Sequence, residues 1–388
     1  MSGKGPAASP RPRDRSDERA DTADARGAPV ADHTGRRDRL RARIAGLDLD
    51  AVLITDPVHV RWASGFTGSN GQVLLPADGE ALLITDARYD ARAQVEAPDL
   101  ERVLRRDPVG VAIDKLGPAR LGFEADHLTW QAGEDLRARI ADAGGAATPV
   151  RDEIASLRMV KDTHELALLR RACEITTGAL AWLFDDVVEE GRTERELARV
   201  LEQRFVDLGA EAVAFDTIVA SGPNAAVPHH APTERALTAG DLLTIDCGAR
   251  VGGYHADCTR TVGIGHLDER LREVYGVVER AQAAGRAAVA PGATGGDVDE
   301  AARQVVEQAG YGNQFVHGTG HGVGLEIHEA PAIGRGSAAT LEAGMTLTVE
   351  PGVYLPDIGG VRIEDTVVVT ADGPAHPLTE LPRGLRVL

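Results

Sequence analysis

The sequence predicts an α/β protein of two domains. Three observations carry this. The chain has 388 residues, more than one ordinary domain holds. Across residues 36–150, short apolar runs alternate with helical patterns. Between residues 162 and 370, the order helix, helix, strands occurs twice, which predicts an internally duplicated ααβ unit. The ranges that follow are an unstructured tail at 1–35, an N-terminal domain at 36–150 and a C-terminal domain at 151–388.

The tail is rich in Arg, Asp, Ala, Pro and Gly and has almost no large apolar residue, so it cannot bury a core. A helix is expected from about Arg36, with Leu40, Ile44 and Leu47 on one face. A short buried strand follows at 51–55 and ends at Asp56-Pro57. Strands at 72–75 and 81–85 form a hairpin through Pro76-Ala-Asp-Gly79. Helices near 87–96, 109–116 and 130–141 then alternate with strands near 101–104 and 120–123, and the domain closes near Thr148. The loop Gly65-Phe-Thr-Gly-Ser-Asn-Gly71 reads either as a structural turn or as a lip over a neighbouring site.

Residues 151–161 read as a connector. Helices are expected at 162–188 and at 193–208, the second opened by the capping box Thr193-Glu-Arg-Glu196. Strands are expected at 216–220, 242–247 and 254–262. The pattern then repeats, with helices near 268–290 and 297–309 and strands at 325–327, 346–350 and 360–369.

Composition narrows the function. Apolar residues make up 43% and charged residues 26%, ordinary for a soluble globular chain. No apolar run is long enough to span a membrane and no secretory h-region is visible, so cytoplasmic residence is the default expectation. Three sparse cysteines do not suggest a disulfide framework; Cys247 and Cys258 read as small core residues. A net charge of −18 argues against nucleic acid or an anionic membrane as partner.

The chemistry centres on His317-Gly-Thr-Gly-His321-Gly-Val-Gly-Leu-Glu-Ile-His328-Glu329. Histidine is the commonest metal ligand and acid/base near neutral pH. Alternation of Val323, Leu325 and Ile327 reads as a strand. His321 and His328 differ in parity, so a bend near 322–324 is needed to aim both at one site. The bland reading is a glycine-rich loop with surface histidines. A dinucleotide loop fits less well, because the glycines break the G-x-G-x-x-G order.

Four carboxylates stand in matching contexts. Asp246 and Asp257 flank Gly248-Ala-Arg-Val-Gly-Gly253. A hairpin turning at Val251-Gly252 places them directly opposite, with Cβ atoms about 4.5–5.5 Å apart; one turning at Gly252-Gly253 makes them diagonal neighbours. Glu350 and Glu364 share parity on the next strand pair, and Arg362 shares the face of Glu364. Either pair alone reads as solvated strand residues. Two pairs together with His321 form a hard, oxygen-rich donor set that repels itself unless a cation intervenes. Five ligands exceed one closed tetrahedral zinc site and fit two divalent ions, with Mn²⁺ favoured and Co²⁺ or Zn²⁺ as alternatives. Two such ions can share a bridging hydroxide, which implies hydrolysis of a carbonyl or phosphoryl bond.

At these residues the chain resembles the aminopeptidase P and prolidase group of pita-bread metallopeptidases. The likeness runs through the histidine stretch, Asp246-Cys-Gly, Tyr254-His-Ala-Asp257-Cys-Thr-Arg-Thr, Val349-Glu350-Pro-Gly-Val-Tyr354 and Val361-Arg362-Ile-Glu364-Asp365. Gly65-Phe-Thr-Gly-Ser and Thr85-Asp86-Ala-Arg-Tyr89 resemble the creatinase/prolidase-type N-terminal domain of the same group.

The resemblance implies a dinuclear hydrolase, its partner a proline-containing peptide substrate, that removes an N-terminal residue preceding proline as aminopeptidase or dipeptidase. It implies Asp246, Asp257, His321, Glu350 and Glu364 as ligands, with Asp257 and Glu364 bridging and Glu350 also handling protons. It implies His229 as a substrate-side histidine, with His230 as its rival. His328 would stabilise charge on the scissile carbonyl, His317 would line the proline pocket, and Arg362 would orient the site. A homodimer is also implied. Among the alternatives, methionine aminopeptidase shares the catalytic fold but does not need the N-terminal domain. A creatinase-like relative, or a non-catalytic peptide- or protein-binding relative, predicts lost ligands, and all five are present.

Overall fold

The computed structural model describes residues 29–388. Of the tail expected at 1–35, residues 1–28 lie outside the described residues, and the rest is ordered, its last residues already helical. From Pro29 onward the chain is placed: His164 Nδ1 donates to the Pro29 carbonyl (2.5 Å). The first helix, α1 (His33–Gly46), starts before Arg36 because Asp32 caps it, accepting from Gly35 N at 2.8 Å.

The N-terminal domain continues through β1 (Ala51–Ile54), α2 (Pro57–Ser64), β2 (Gly71–Pro76), β3 (Leu82–Thr85), α3 (Asp90–Glu96), β4 (Glu101–Leu104), α4 (Pro108–Leu116), β5 (Arg120–Glu124), α5 (Trp130–Asp142), β6 (Ala146–Val150) and α6 (Glu153–Met159). Its six strands form one sheet in the order β4-β3-β2-β1-β5-β6. Both faces are covered, which explains the unbroken apolar runs. Val52, Ile54, Val73, Leu75 and Leu83 pack in a core with α1 and α2, while Ala51, Leu53, Leu74, Leu82 and Ile84 pack with α4 and α5.

Three local expectations need correction. Asp56-Pro57 starts a helix as well as ending a strand: Asp56 caps α2 and Pro57 occupies its first turn, where a missing N–H costs nothing. The sheet gains β6 beyond the strands expected. The connector contains the helix α6.

The second part comprises α7 (Thr163–Asp186), α8 (Glu194–Asp207), β7 (Ala212–Val213), β8 (Ile218–Ser221), β9 (Leu242–Cys247), β10 (Ala249–Val251), β11 (Tyr254–His255) and β12 (Cys258–Gly263). It then repeats the order with α9 (Glu269–Ala288), α10 (Gly295–Gln308), β13 (Gly320–Gly322), β14 (Glu329–Ile333), β15 (Thr346–Val349), β16 (Gly352–Leu355), β17 (Gly359–Arg362), β18 (Asp365–Val368) and β19 (His376–Pro377). Capping boxes open α7, α8 and α10, including the one expected at Thr193. The core between α7, α8 and β9–β12 holds Leu168, Cys173, Ile245 and Cys247, and α9 covers Val353, Leu355, Val361 and Ile363. All three cysteines are free and buried.

Each half contains one long hairpin broken near its middle. In the first, Cys247 pairs with Cys258 and Arg250 with His255, so the turn is Gly252-Gly253. Both glycines have positive φ, 57° and 81°, as a tight two-residue turn demands. In the second, Val349 pairs with Asp365 and Gly352 with Arg362. The two hairpins touch: Glu364 N donates to Thr259 O (3.1 Å), and Thr261 Oγ1 donates to Arg362 O (2.9 Å).

Candidate metal centre and its cavity

The breaks in the hairpins place the acidic residues. Asp246 stands opposite Thr259, so Asp257 is its diagonal neighbour, the second of the two expected registers. The ladders on either side of Glu350 and Glu364 continue one register across the gap, which sets these two residues opposite each other. His321 arrives on β13, pressed against β15 and β14. A side chain on Gly322 would meet Ala330 O at 2.1 Å, so only glycine allows that approach. The strand expected at 325–327 is absent; those residues bend between β13 and β14 and swing His328 back toward His321. Their ring centroids lie 4.4 Å apart at an interplanar angle of 76°.

Asp257, His321 and Glu364 each offer a ligand atom within 4.8 Å of the others. His321 Nε2 lies 3.5 Å from Asp257 Oδ2 and 3.4 Å from Glu350 Oε1. His321 Nδ1 donates to Gly322 O (2.9 Å), because a carbonyl can only accept. Burial brings the imidazole down to about 4, so Nε2 presents a lone pair. An imidazole lone pair set among carboxyl groups at these distances has the form of a cation site. Burial, reinforced by the charges of Glu364, Asp246 and Glu350, raises the Asp257 carboxyl well above its ordinary range. Burial and then Glu350 and Asp246 do the same to Glu364. Burial pushes Glu350 up to about 8, with Arg362 opposing and Asp246 adding. Asp246 Oδ1 is buried and has no hydrogen-bond partner. These groups fit divalent ions, which would relieve the repulsion and satisfy the orphaned oxygen.

All five open onto one cavity of about 510 Å³. His229, His230, His317, His328 and Arg362 also line it, so the structure brings every candidate residue together. The Gly65–Gly71 loop does not reach it; Thr67 and Gly68 line a separate cavity of about 240 Å³ with His255 and Leu325.

Residues 167–371 match metallopeptidase family M24, and residues 36–160 match the creatinase/prolidase N-terminal domain. The chain belongs to metallopeptidase family M24. It is 35% identical over 353 residues to the Xaa-Pro dipeptidase of Pyrococcus furiosus, covering 90% of this chain and 99% of that one. The solved Xaa-Pro dipeptidase from Bacillus anthracis superposes with a TM-score of 0.86 at 36% identity, covering 92% of this chain and 100% of that one. An X-Pro aminopeptidase from Thermotoga maritima MSB8 gives 0.83 at 35%, covering 91% and 99%. The duplicated half is the M24 pita-bread catalytic domain, preceded by a creatinase/prolidase-type domain.

Several residues of this metallopeptidase site escaped sequence reasoning. Tyr354 OH accepts from Arg362 Nη1 (2.9 Å) and donates to His317 Nε2 (2.9 Å), whose Nδ1 donates to Gly318 O (2.7 Å). Thr259 Oγ1 accepts from Arg362 Nε (3.1 Å) and donates to Glu364 Oε2 (2.7 Å). One buried guanidinium therefore joins Asp246, Thr259 and Tyr354. Tyr354 follows Glu350 by four positions, but no spacing rule marks a phenol as a relay. Farther out, the interdomain segment grips the residue after His328: Arg158 Nη2 pairs with Glu329 Oε2 at 2.5 Å and with Glu326 Oε2 at 2.9 Å, and Lys161 pairs with Glu329.

Proposed function

We propose that this metallopeptidase removes the N-terminal residue ahead of proline, with Asp246, Asp257, His321, Glu350 and Glu364 holding two divalent ions. The observation that carries the reading is Asp246 Oδ1, buried without a partner beside three carboxyls raised by burial and mutual repulsion. Four carboxylates and one imidazole form a hard donor set, which favours Mn²⁺, with Co²⁺ and Zn²⁺ as alternatives. When bound, the ions supply Lewis acidity and lower the pKa of a water from about 15.7 toward roughly 7.

The chain's own groups do the rest. Glu350 carries the proton from the attacking water to the departing proline nitrogen. His328 donates an N–H to the scissile carbonyl oxygen as negative charge develops there. His229 holds the peptide from the cavity wall. His317, oriented by Tyr354, forms the side of the proline pocket. A proline amide has no N–H to offer, so this wall needs shape more than acceptors. Arg362 keeps one oxygen of Asp246 occupied at 2.7 Å and leaves Oδ1 for a metal ion. The name of the Pyrococcus furiosus relative supports the Xaa-Pro substrate.

Two further expectations accompany the reading. Three free thiols, with Cys247 and Cys258 paired across one strand ladder, suit a reducing cytoplasmic setting. A homodimer is carried by the resemblance and is checked by light scattering on a sizing column.

The test is chelated protein reloaded with Mn²⁺ and given Ala-Pro, Ala-Pro-Ala and Ala-Ala-Ala together. Release of alanine from either proline peptide, and not from Ala-Ala-Ala, is expected. Which proline peptide disappears separates dipeptidase from aminopeptidase. Equal loss of Ala-Ala-Ala would remove the proline requirement.

A further inference from the structure

Glu194, the first residue of α8, is a buried carboxylate outside the metal centre, and its side chain has no exposed surface. It collects six hydrogen bonds from four residues. Oε1 accepts from Ser221 N (2.8 Å), Ser221 Oγ (2.7 Å) and Asn224 Nδ2 (2.9 Å). Oε2 accepts from His230 Nε2 (2.9 Å), Thr233 N (3.0 Å) and Thr233 Oγ1 (2.7 Å).

The donors lie at the two ends of one segment. Ser221 ends β8, and Asn224 sits in the 3₁₀ turn after it (Gly222–Ala226). His230 and Thr233 lie where the segment returns. One carboxylate thus closes the neck of a loop whose residues from Pro228 to Pro232 line the cavity. Arg235 braces the neck from behind: its Nη1 donates to Ser221 Oγ (2.7 Å), and its fork grips Asp241 at 2.6 and 2.9 Å. Burial alone would raise the Glu194 carboxyl, but hydrogen bonds from Thr233, Asn224, His230 and Ser221 bring it down to about 2, so it is ionised throughout the neutral range.

The two adjacent histidines are thereby separated in role. His230 spends Nε2 on Glu194 and is a strut of the neck. His229 has no such tie and stands exposed in the cavity wall. We infer that Glu194 is a positioning residue for the substrate wall: by closing the neck of the 221–233 loop, it sets where His229 stands in the cavity. The inference rests on the proposed substrate-side role of His229.

A double-mutant cycle tests it, with kcat/KM on a proline peptide as the readout and metal content and melting temperature measured alongside. Glu194→Gln keeps the shape but turns an amide N–H₂ toward donors. It should lower kcat/KM about tenfold or more while metal content stays at the wild-type value. His229→Ala should also lower it. If Glu194 acts through His229, the double variant is no worse than His229→Ala within about twofold. Thr233→Val deletes a single donor and keeps the test open if Glu194→Gln does not fold. It should show a smaller loss, about threefold, that likewise vanishes in the His229→Ala background. Losses that multiply would overturn the positioning role alone, and so would a fully active Glu194→Gln enzyme. A His229→Ala enzyme with wild-type kcat/KM would overturn the reading of His229 and this inference with it.

Discussion

Arg362 Nη2 lies 2.7 Å from Asp246 Oδ2, and both side chains are withdrawn from solvent. The same guanidinium holds Thr259 Oγ1 and Tyr354 OH, and through them Glu364 and His317. Asp246 is thus the one acidic member of the cluster that this guanidinium hydrogen-bonds directly, and its other oxygen is turned inward.

That fork is the basis of the first prediction. Lysine keeps the charge but cannot reach three partners at once. Arg362→Lys should lower kcat/KM and metal affinity by about 10–100-fold, the range expected for groups that orient ligands. Isothermal titration with Mn²⁺ and steady-state kinetics on Ala-Pro-Ala check both. Unchanged metal affinity would show that Asp246 does not depend on Arg362.

His328 packs on His321 but adds no atom to the close group of Asp257, His321 and Glu364. His328→Ala should therefore keep its full metal complement and lose about 10²–10³ in kcat, as the loss of a donor to a developing oxyanion does. Metal analysis of the purified variant decides: lost metal would make His328 a ligand.

The clamp on Glu329 gives a prediction about the interdomain segment. Its carboxyl is buried; burial would raise it, but Lys161 and Arg158 hold it below the ordinary range. Arg158→Met leaves Glu329 with one cation and frees Glu326. It should cost about 3 kcal/mol of stability, as breaking a buried pair does. It should also lower kcat about tenfold by loosening the bend that carries His328. Denaturant unfolding and kinetics measure these separately.

The raised carboxyls set a pH dependence. A carboxylic acid whose folded pKa is raised binds its proton more tightly in the folded chain, so stability is greatest at low pH and is lost as pH climbs from about 4.5 toward 8 for Glu350. Metal-free protein should melt several degrees lower, on the order of 5 °C, at pH 8 than at pH 5.5. Mn²⁺ should abolish that drop and release protons on binding at pH 6.5. Unbuffered titration with a pH electrode reads the release; none would mean the carboxyls are already ionised without metal.

What the sequence revealed follows from periodicity. The parity of Asp246 and Asp257 around a glycine turn, and of Glu350 and Glu364 on paired strands, left only a few registers, and both pairs fall where those registers put them. Side-chain alternation misled at 325–327: Leu325 is buried as a strand residue would be, but the backbone bends there, and a Cβ on Gly324 would meet the Glu329 carboxyl at 2.6 Å. The helix α2 went unread because Pro57 was weighed as a terminator rather than as a first-turn residue behind the cap Asp56. Glu194 showed in sequence only as part of a helix start; its partners lie 27 to 39 residues away and meet only once the loop folds over.

The central claim is that five side chains hold two ions and that peptide cleavage depends on both. The direct measurement is one titration of Mn²⁺ into fully chelated protein, following bound metal and Ala-Pro-Ala hydrolysis in the same samples, with Asp257→Asn beside the wild type. The account predicts no cleavage without metal, full activity at two bound ions per chain, and an Asp257→Asn variant that binds fewer ions and stays inactive. Cleavage by the chelated protein, or an Asp257→Asn variant that turns over at the wild-type rate, would contradict it.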